Sequence, residues 1–198
     1  MDELKNKIFL GDCIEEMKKF PDEFVDLIFT DPPYNIGFTY DSYDDNKTDD
    51  DYVRWCRDWL TECYRILKKT GTMYVVIGDE YAAEINIILK ELGLYFRNWI
   101  IWHYGFGQNQ RKKFSRSHAH IFYFTKDDKK FTFNSDDIRV PSVRMEIGDK
   151  RANPKGKVPD DVWKISRVAG TFNERIKGFP CQIDRKSTRL NSSHQIIS

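Results

Sequence analysis

Three apolar runs, at residues 24–30, 72–77 and 96–104, are separated by two stretches of helical length, and a fourth run follows at 119–125. That alternation does most to narrow what the chain can fold into. Phe24-Val25-Asp26-Leu27-Ile28-Phe29-Thr30 is apolar enough for a buried strand. A shorter candidate strand, Lys7-Ile8-Phe9-Leu10, precedes it and is broken at Gly11; Asp12 can then cap a short helix reaching Lys19, with Ile14 and Met17 inward. From Asp49 to about Lys69, apolar Val53, Leu60, Tyr64 and Leu67 mark an amphipathic helix. Its acidic start and its Arg65, Lys68 and Lys69 end suit the helix dipole, and Gly71 stands just past its expected terminus. A second helix is expected over 81–92, ended at Gly93. Strands joined by helices of this length predict an α/β fold: a partial Rossmann-like, mostly parallel sheet with helices on both faces.

Composition removes several functions. Lys and Arg number 32 against 31 Asp and Glu, a net charge of +1, so contact with a polyanion has to come from local clustering. No run approaches the ~20 apolar residues of a membrane span, and Met1-Asp2-Glu3-Leu4-Lys5 opens no signal peptide, so a cytoplasmic protein without a membrane partner is expected. Cys13, Cys56, Cys63 and Cys181 show no CxxC spacing and read as reduced thiols. They form no ligand set with His103, His118 and His120, and no metal is expected. The six aspartates between positions 41 and 51 lack EF-hand spacing and read as a solvated loop. Trp55 and Trp59, at i and i+4 on the first long helix, read as core or interface.

The chemistry concentrates in Asp31-Pro32-Pro33-Tyr34, directly after an apolar strand. An exocyclic base amine is a poor nucleophile because its lone pair is delocalised into the ring. Acceptors placed against its N–H bonds return that pair to nitrogen. Asp31 offers a side-chain oxygen and Pro32 a backbone carbonyl. The two prolines fix φ and remove donors, holding these acceptors at the carboxyl end of a strand, where open α/β sheets place their ligands. Tyr34 offers a face on which an extruded base can stack. The competing reading of these four residues is a plain turn.

With these residues in view, the chain resembles the amino-group DNA methyltransferases, adenine-N6 or cytosine-N4 specific, over residues 8–182. The resemblance rests on Leu10-Gly11-Asp12-Cys13, the run from Val25 to Asn35, Leu67-Lys68-Lys69-Thr70-Gly71, Trp99-Ile100-Ile101-Trp102-His103 and Gly178-Phe179-Pro180-Cys181-Gln182. A catalytic motif so near the N-terminus is similar to the circularly permuted branch, in which the catalytic half precedes the cofactor half. The resemblance implies that Asp31, Pro32, Pro33 and Tyr34 are catalytic. It also implies that Asp12, Cys13, Asp31, Pro180, Cys181 and Gln182 lie at the S-adenosyl-L-methionine site. The Phe-x-Gly-x-Gly loop that follows the late segment in that branch is absent here. Residues 184–198 resemble instead the read-through translation of a sequencing adapter, and sequence of that kind is set aside in fold reasoning. The chain by itself is therefore expected to be inactive and to bind the cofactor poorly.

A second constellation, Arg111-Lys112-Lys113-Phe114-Ser115-Arg116, places four basic residues in six positions around an aromatic, suited to phosphates. Its place between two strands resembles the family's DNA-facing loop, and a solvated connection is the alternative. Residues 134–170 are polar and loop-rich, and by position resemble a target-recognition segment in which Arg144 or Asn153 could read base edges. The division expected is thus a catalytic half at 1–133, this segment, and the start of the cofactor half at 171–183. The leading expectation is methyl transfer from S-adenosyl-L-methionine to an amine of double-stranded DNA, adenine N6 before cytosine N4, by direct attack and without a cysteine nucleophile. A catalytically incomplete DNA-binding fragment, an RNA or protein-amide substrate, and a homodimer stay open.

Overall fold

The computed structural model describes residues 4–40, 43–105 and 110–166. Helix α1 (Cys13–Met17) starts at Asp12, whose carboxylate accepts the Ile14 and Glu15 amides at 3.0 and 3.1 Å. Strand β1 (Val25–Thr30) leads to the Asp-Pro-Pro segment, where the prolines stop it. Helix α2 (Asp49–Ile66) is capped by Thr48, which accepts the Asp51 amide and donates to its carboxylate. Its inner stripe of Tyr52, Cys56, Trp59, Leu60, Cys63 and Ile66 follows helical spacing into the core.

The chain passes from α2 into strand β2 (Leu67–Ile77) with no break. Gly71 is therefore inside a strand rather than past a helix end. While β1 advances from Val25 to Leu27, β2 runs from Leu67 to Thr72. The fold-back is tight, because a Cβ on Gly71 would lie 2.6 Å from Leu67 Cδ1 and 2.9 Å from the Lys68 carbonyl. The carbonyls left at the end of α2 are met by Lys126 Nζ, which donates to Tyr64 and Leu67. Helix α3 (Ala82–Glu91) ends at Gly93, with φ +89°. Strands β3 (Tyr95–His103) and β4 (His118–Thr125) follow, then a single turn α4 (Val143–Glu146) and the short β5 (Val162–Lys164).

The sheet order is β1-β2-β4-β3-β5. The α/β class is as expected, but the sheet is mixed rather than mostly parallel. β1 and β2 run parallel, as do β3 and β5, whereas β4 is antiparallel to both β2 and β3. Between β3 and β4 the chain makes no crossover helix, so it returns antiparallel. The Lys7–Leu10 strand does not form. Ile8 and Leu10 are almost fully exposed and only Phe9 turns inward, 5.3 Å from the Phe20 ring.

One face of the sheet carries α1, α2 and α3 over a large core that includes Trp59, Ile85, Leu89, Phe122 and Phe124. The other face holds a smaller cluster of Val76, Ile100, Trp102, Tyr104, Ala119, Ile121 and Tyr123, and among the described residues no helix contributes to it. The loop-rich segment after residue 133 is tied by the Val140–Lys157 bridge and rejoins the sheet at β5, so residues 162–164 belong to the sheet rather than to an insertion. Among the described residues no helix is long and apolar enough to cross a membrane.

Candidate active site at the carboxyl end of the sheet

The strand directions bring five segments to one end of the sheet. They are Asp31–Tyr34 after β1, Gly78–Tyr81 after β2, His103–Gly105 after β3, Arg116–His118 before β4, and the end of β5. The proline motif and the basic loop, 80 residues apart in sequence, therefore share an edge.

At its centre the Tyr34 hydroxyl donates to Asp31 Oδ1 at 2.5 Å. Burial, and next the Asp31 charge, hold the Tyr34 phenol well above its usual range, so it stays a donor at working pH. The ring packs against both core clusters. Gly78 leaves room for it, since a Cβ there would stand 3.4 Å from Tyr34 Cδ2. The Pro33 carbonyl accepts from Tyr52 at 2.5 Å, whereas no hydrogen bond reaches the Pro32 carbonyl among the described residues. Asp31 and Pro32, the two acceptors singled out in the sequence, are thus held on one short turn. The hydrogen bond between Tyr34 and Asp31 was not legible in the sequence; nor was the part of Tyr52, which the helical pattern marks only as core.

The next residues are pinned as firmly. Asn35 sits at φ +56°, a conformation asparagine tolerates better than most residues. Its side chain donates to the Lys47 carbonyl and to Tyr81 Oη and accepts the Lys47 amide, and Tyr81 in turn donates to Asp49. Asp45, expected on a solvated loop, is 3% exposed and bonded to this turn. The solvated reading fails for that aspartate.

The candidate cofactor residues separate. Asp12 is the α1 cap. Cys13 and Gly11 line a cavity of about 300 Å³ along the outer side of β1, together with Phe9, Phe29 and Thr30, the residue before Asp31. Burial first, then Asp12, pushes the Cys13 thiol up, which keeps it from acting as a thiolate. Cys56 is pushed up to about 12 by burial, and Cys13, Cys56 and Cys63 are all free thiols. Pro180, Cys181 and Gln182 lie outside the described residues, as do residues 184–198.

Of the four basic-loop residues, Arg111, Lys112 and Lys113 are exposed and make no ion pair among the described residues, beside a Phe114 that is 99% exposed. Arg116 differs. It pairs with Asp79 at 2.9 Å and with Glu80, bolting the loop to the end of β2. In the later segment Arg139, Arg151, Lys155 and Lys157 are paired with nearby acids, while Arg144 and Asn153 stand exposed.

A family model described as DNA methylase, of the N6/N4 class, matches residues 25–190. The chain belongs to that family. Among the N6/N4 DNA methylases it is 40% identical to the type II methyltransferase M.HpaI of Haemophilus parainfluenzae, over 90% of this chain and 56% of that protein. It is 35% identical to the DNA adenine methyltransferase YhdJ of Escherichia coli K12, over 84% of this chain and 60% of that one. The chain thus spans little more than half the length of these relatives. The fold agrees with that of the cytosine-N4-specific PvuII DNA methyltransferase, at a TM-score of 0.58 and 16% identity, over 84% of this chain and 59% of the other. It agrees also with a Thermus thermophilus DNA modification methylase complexed with S-adenosyl-L-methionine, at a TM-score of 0.54 and 20% identity, over 80% and 65%.

Proposed function

We propose that the complete gene product transfers a methyl group to an exocyclic amine of double-stranded DNA, adenine N6 rather than cytosine N4. The observation that carries this reading is the joint placement of the Asp31 carboxylate and the Pro32 carbonyl on one turn, at the sheet end that also bears Arg111, Lys112 and Lys113. Relatives of both base specificities carry the same family likeness. The choice of adenine follows from Asp at position 31.

In this reading the basic loop holds phosphates, and the target base leaves the stack to reach the sheet end. Its ring lies on Tyr34. Asp31 and Pro32 accept from the two N–H bonds of the amine, which localises the lone pair on nitrogen. A carboxylate has about four acceptor positions, and Tyr34 uses one. S-adenosyl-L-methionine, when bound, supplies the electrophilic methyl group. The residues present fit it in part: the cavity beside β1 is at the low end of the size range of ligand sites, adjoins Asp31 through Thr30, and has Cys13 and aromatic side chains in its wall. Pro180, Cys181 and Gln182 are proposed to complete that site. A cytoplasmic location goes with the reading.

The test is incorporation of labelled methyl from S-adenosyl-L-methionine into unmethylated genomic DNA, followed by hydrolysis to nucleosides. Label in N6-methyladenine is expected. Label in N4-methylcytosine would keep the reaction and reverse the base, and label in RNA or protein alone would overturn the reading.

A further inference from the structure

We propose that Asp45 is a positioning residue for the amine-binding turn, acting through the backbone that follows Tyr34. Its Oδ1 accepts the Asn35 amide at 2.8 Å, and its Oδ2 accepts those of Ile36 and Phe38 at 3.1 and 2.9 Å. The amide of Gly37 reaches the Asp45 carbonyl at 2.9 Å. Four successive backbone donors are thus satisfied by one residue. Converging amides of this kind, on a turn with positive φ at Asn35 and Gly37, form a nest that favours an anion. Here the anion belongs to the chain itself. The carboxylate is nearly fully buried and makes no ion pair among the described residues, so the amides are what holds its charge.

The placement gives this arrangement its consequence. Asn35 is covalently next to Tyr34, so fixing its amide fixes the exit of the chain from the Asp31–Tyr34 turn. Tyr52 fixes the same turn from the Pro33 carbonyl, and the Asn35 side chain fixes it from Lys47 and Tyr81. Without Asp45 the amides of residues 35–38 would seek water, the left-handed Asn35 would relax, and Tyr34 and Asp31 would lose their shared orientation. Asparagine at position 45 would not replace the carboxylate, because its NH₂ would face amide donors.

The inference rests on the proposed methyl transfer, and its test separates the two. In the complete gene product, Asp45→Asn is expected to lower kcat by about 100-fold, the usual cost of a displacement near 1 Å at a reacting centre. KM for DNA and the cofactor Kd should stay within about threefold of the parent, since uniform binding is untouched. Asp45→Glu should recover part of the loss, and Asp44→Asn, a neighbouring exposed aspartate, should be silent. Hydrogen exchange of the parent supplies a second readout independent of turnover and of any variant's folding: amides 35, 36 and 38 should be protected as β2 is. Rapid exchange there in the parent overturns the inference, as does a parental kcat in Asp45→Asn. A parent that labels no DNA overturns the methyl-transfer reading, while the exchange result still decides whether Asp45 holds the turn.

Discussion

Tyr34 presents both a ring and a hydroxyl to the same few ångströms of the site, and substitution separates them. Tyr34→Phe keeps the stacking face and releases Asp31 Oδ1, so binding of an extruded base should hold while turnover falls. Tyr34→Ala should weaken base binding by about 1–3 kcal/mol, the value of a lost aromatic stack. Fluorescence of 2-aminopurine at the target position reads the difference, and equal responses from both variants would place the ring elsewhere. The four-residue motif itself was legible because two prolines after an apolar strand leave few conformations. Asp45 was not. In a run of six aspartates no spacing tells which one will be buried, and that depends on a turn with two left-handed residues closing over it. Gly71 misled for a related reason: a glycine after a helical pattern reads as a helix end, while here it permits a close approach of side chain and backbone. Gly71→Ala should therefore cost about 1–3 kcal/mol of stability by denaturant unfolding, as overpacking does.

Among the elements, the loop between β3 and β4 divides its charges between two tasks. Replacing Arg111, Lys112 and Lys113 by alanine should flatten the slope of log K against log salt by about 2–3, at roughly 0.9 per phosphate released. Arg116→Ala should change that slope less, because Arg116 already pairs with Asp79 and Glu80. Equal slopes for the triple variant and the parent would place the loop off the DNA. Strand β4 carries its own test. His120 is buried, its Nδ1 accepts from Trp99 Nε1 at 2.8 Å, and burial with His118 nearby lowers its pKa below 6.5. The unfolded chain then binds the proton more readily, so this contribution to stability is present above about pH 6.5 and fades as pH falls below it. Melting temperature against pH should show that loss in the parent and a shallower one in His120→Asn. The helices α2 and α3 were legible from their period, and strands β1 to β4 from their apolar runs. The direction of β4 was not, since it depends on what the connecting loop does rather than on the strand's own residues.

For the molecule as a whole, the family likeness and the site agree on where the chemistry sits. Apolar runs and helical stretches were enough to name an α/β sheet, and the motif was enough to name its working end. The pairing of β5 beside β3 was hidden, because three residues after a polar segment carry no periodicity. The measurement that bears most directly on the central claim uses the complete gene product with Asp31→Ala. Turnover of labelled methyl into DNA and calorimetric binding of S-adenosyl-L-methionine are compared with the parent. Because Asp31 is held to act on the reacting amine, the account predicts loss of turnover by about 100-fold or more with the cofactor Kd within about threefold. Near-parental turnover in Asp31→Ala would contradict it.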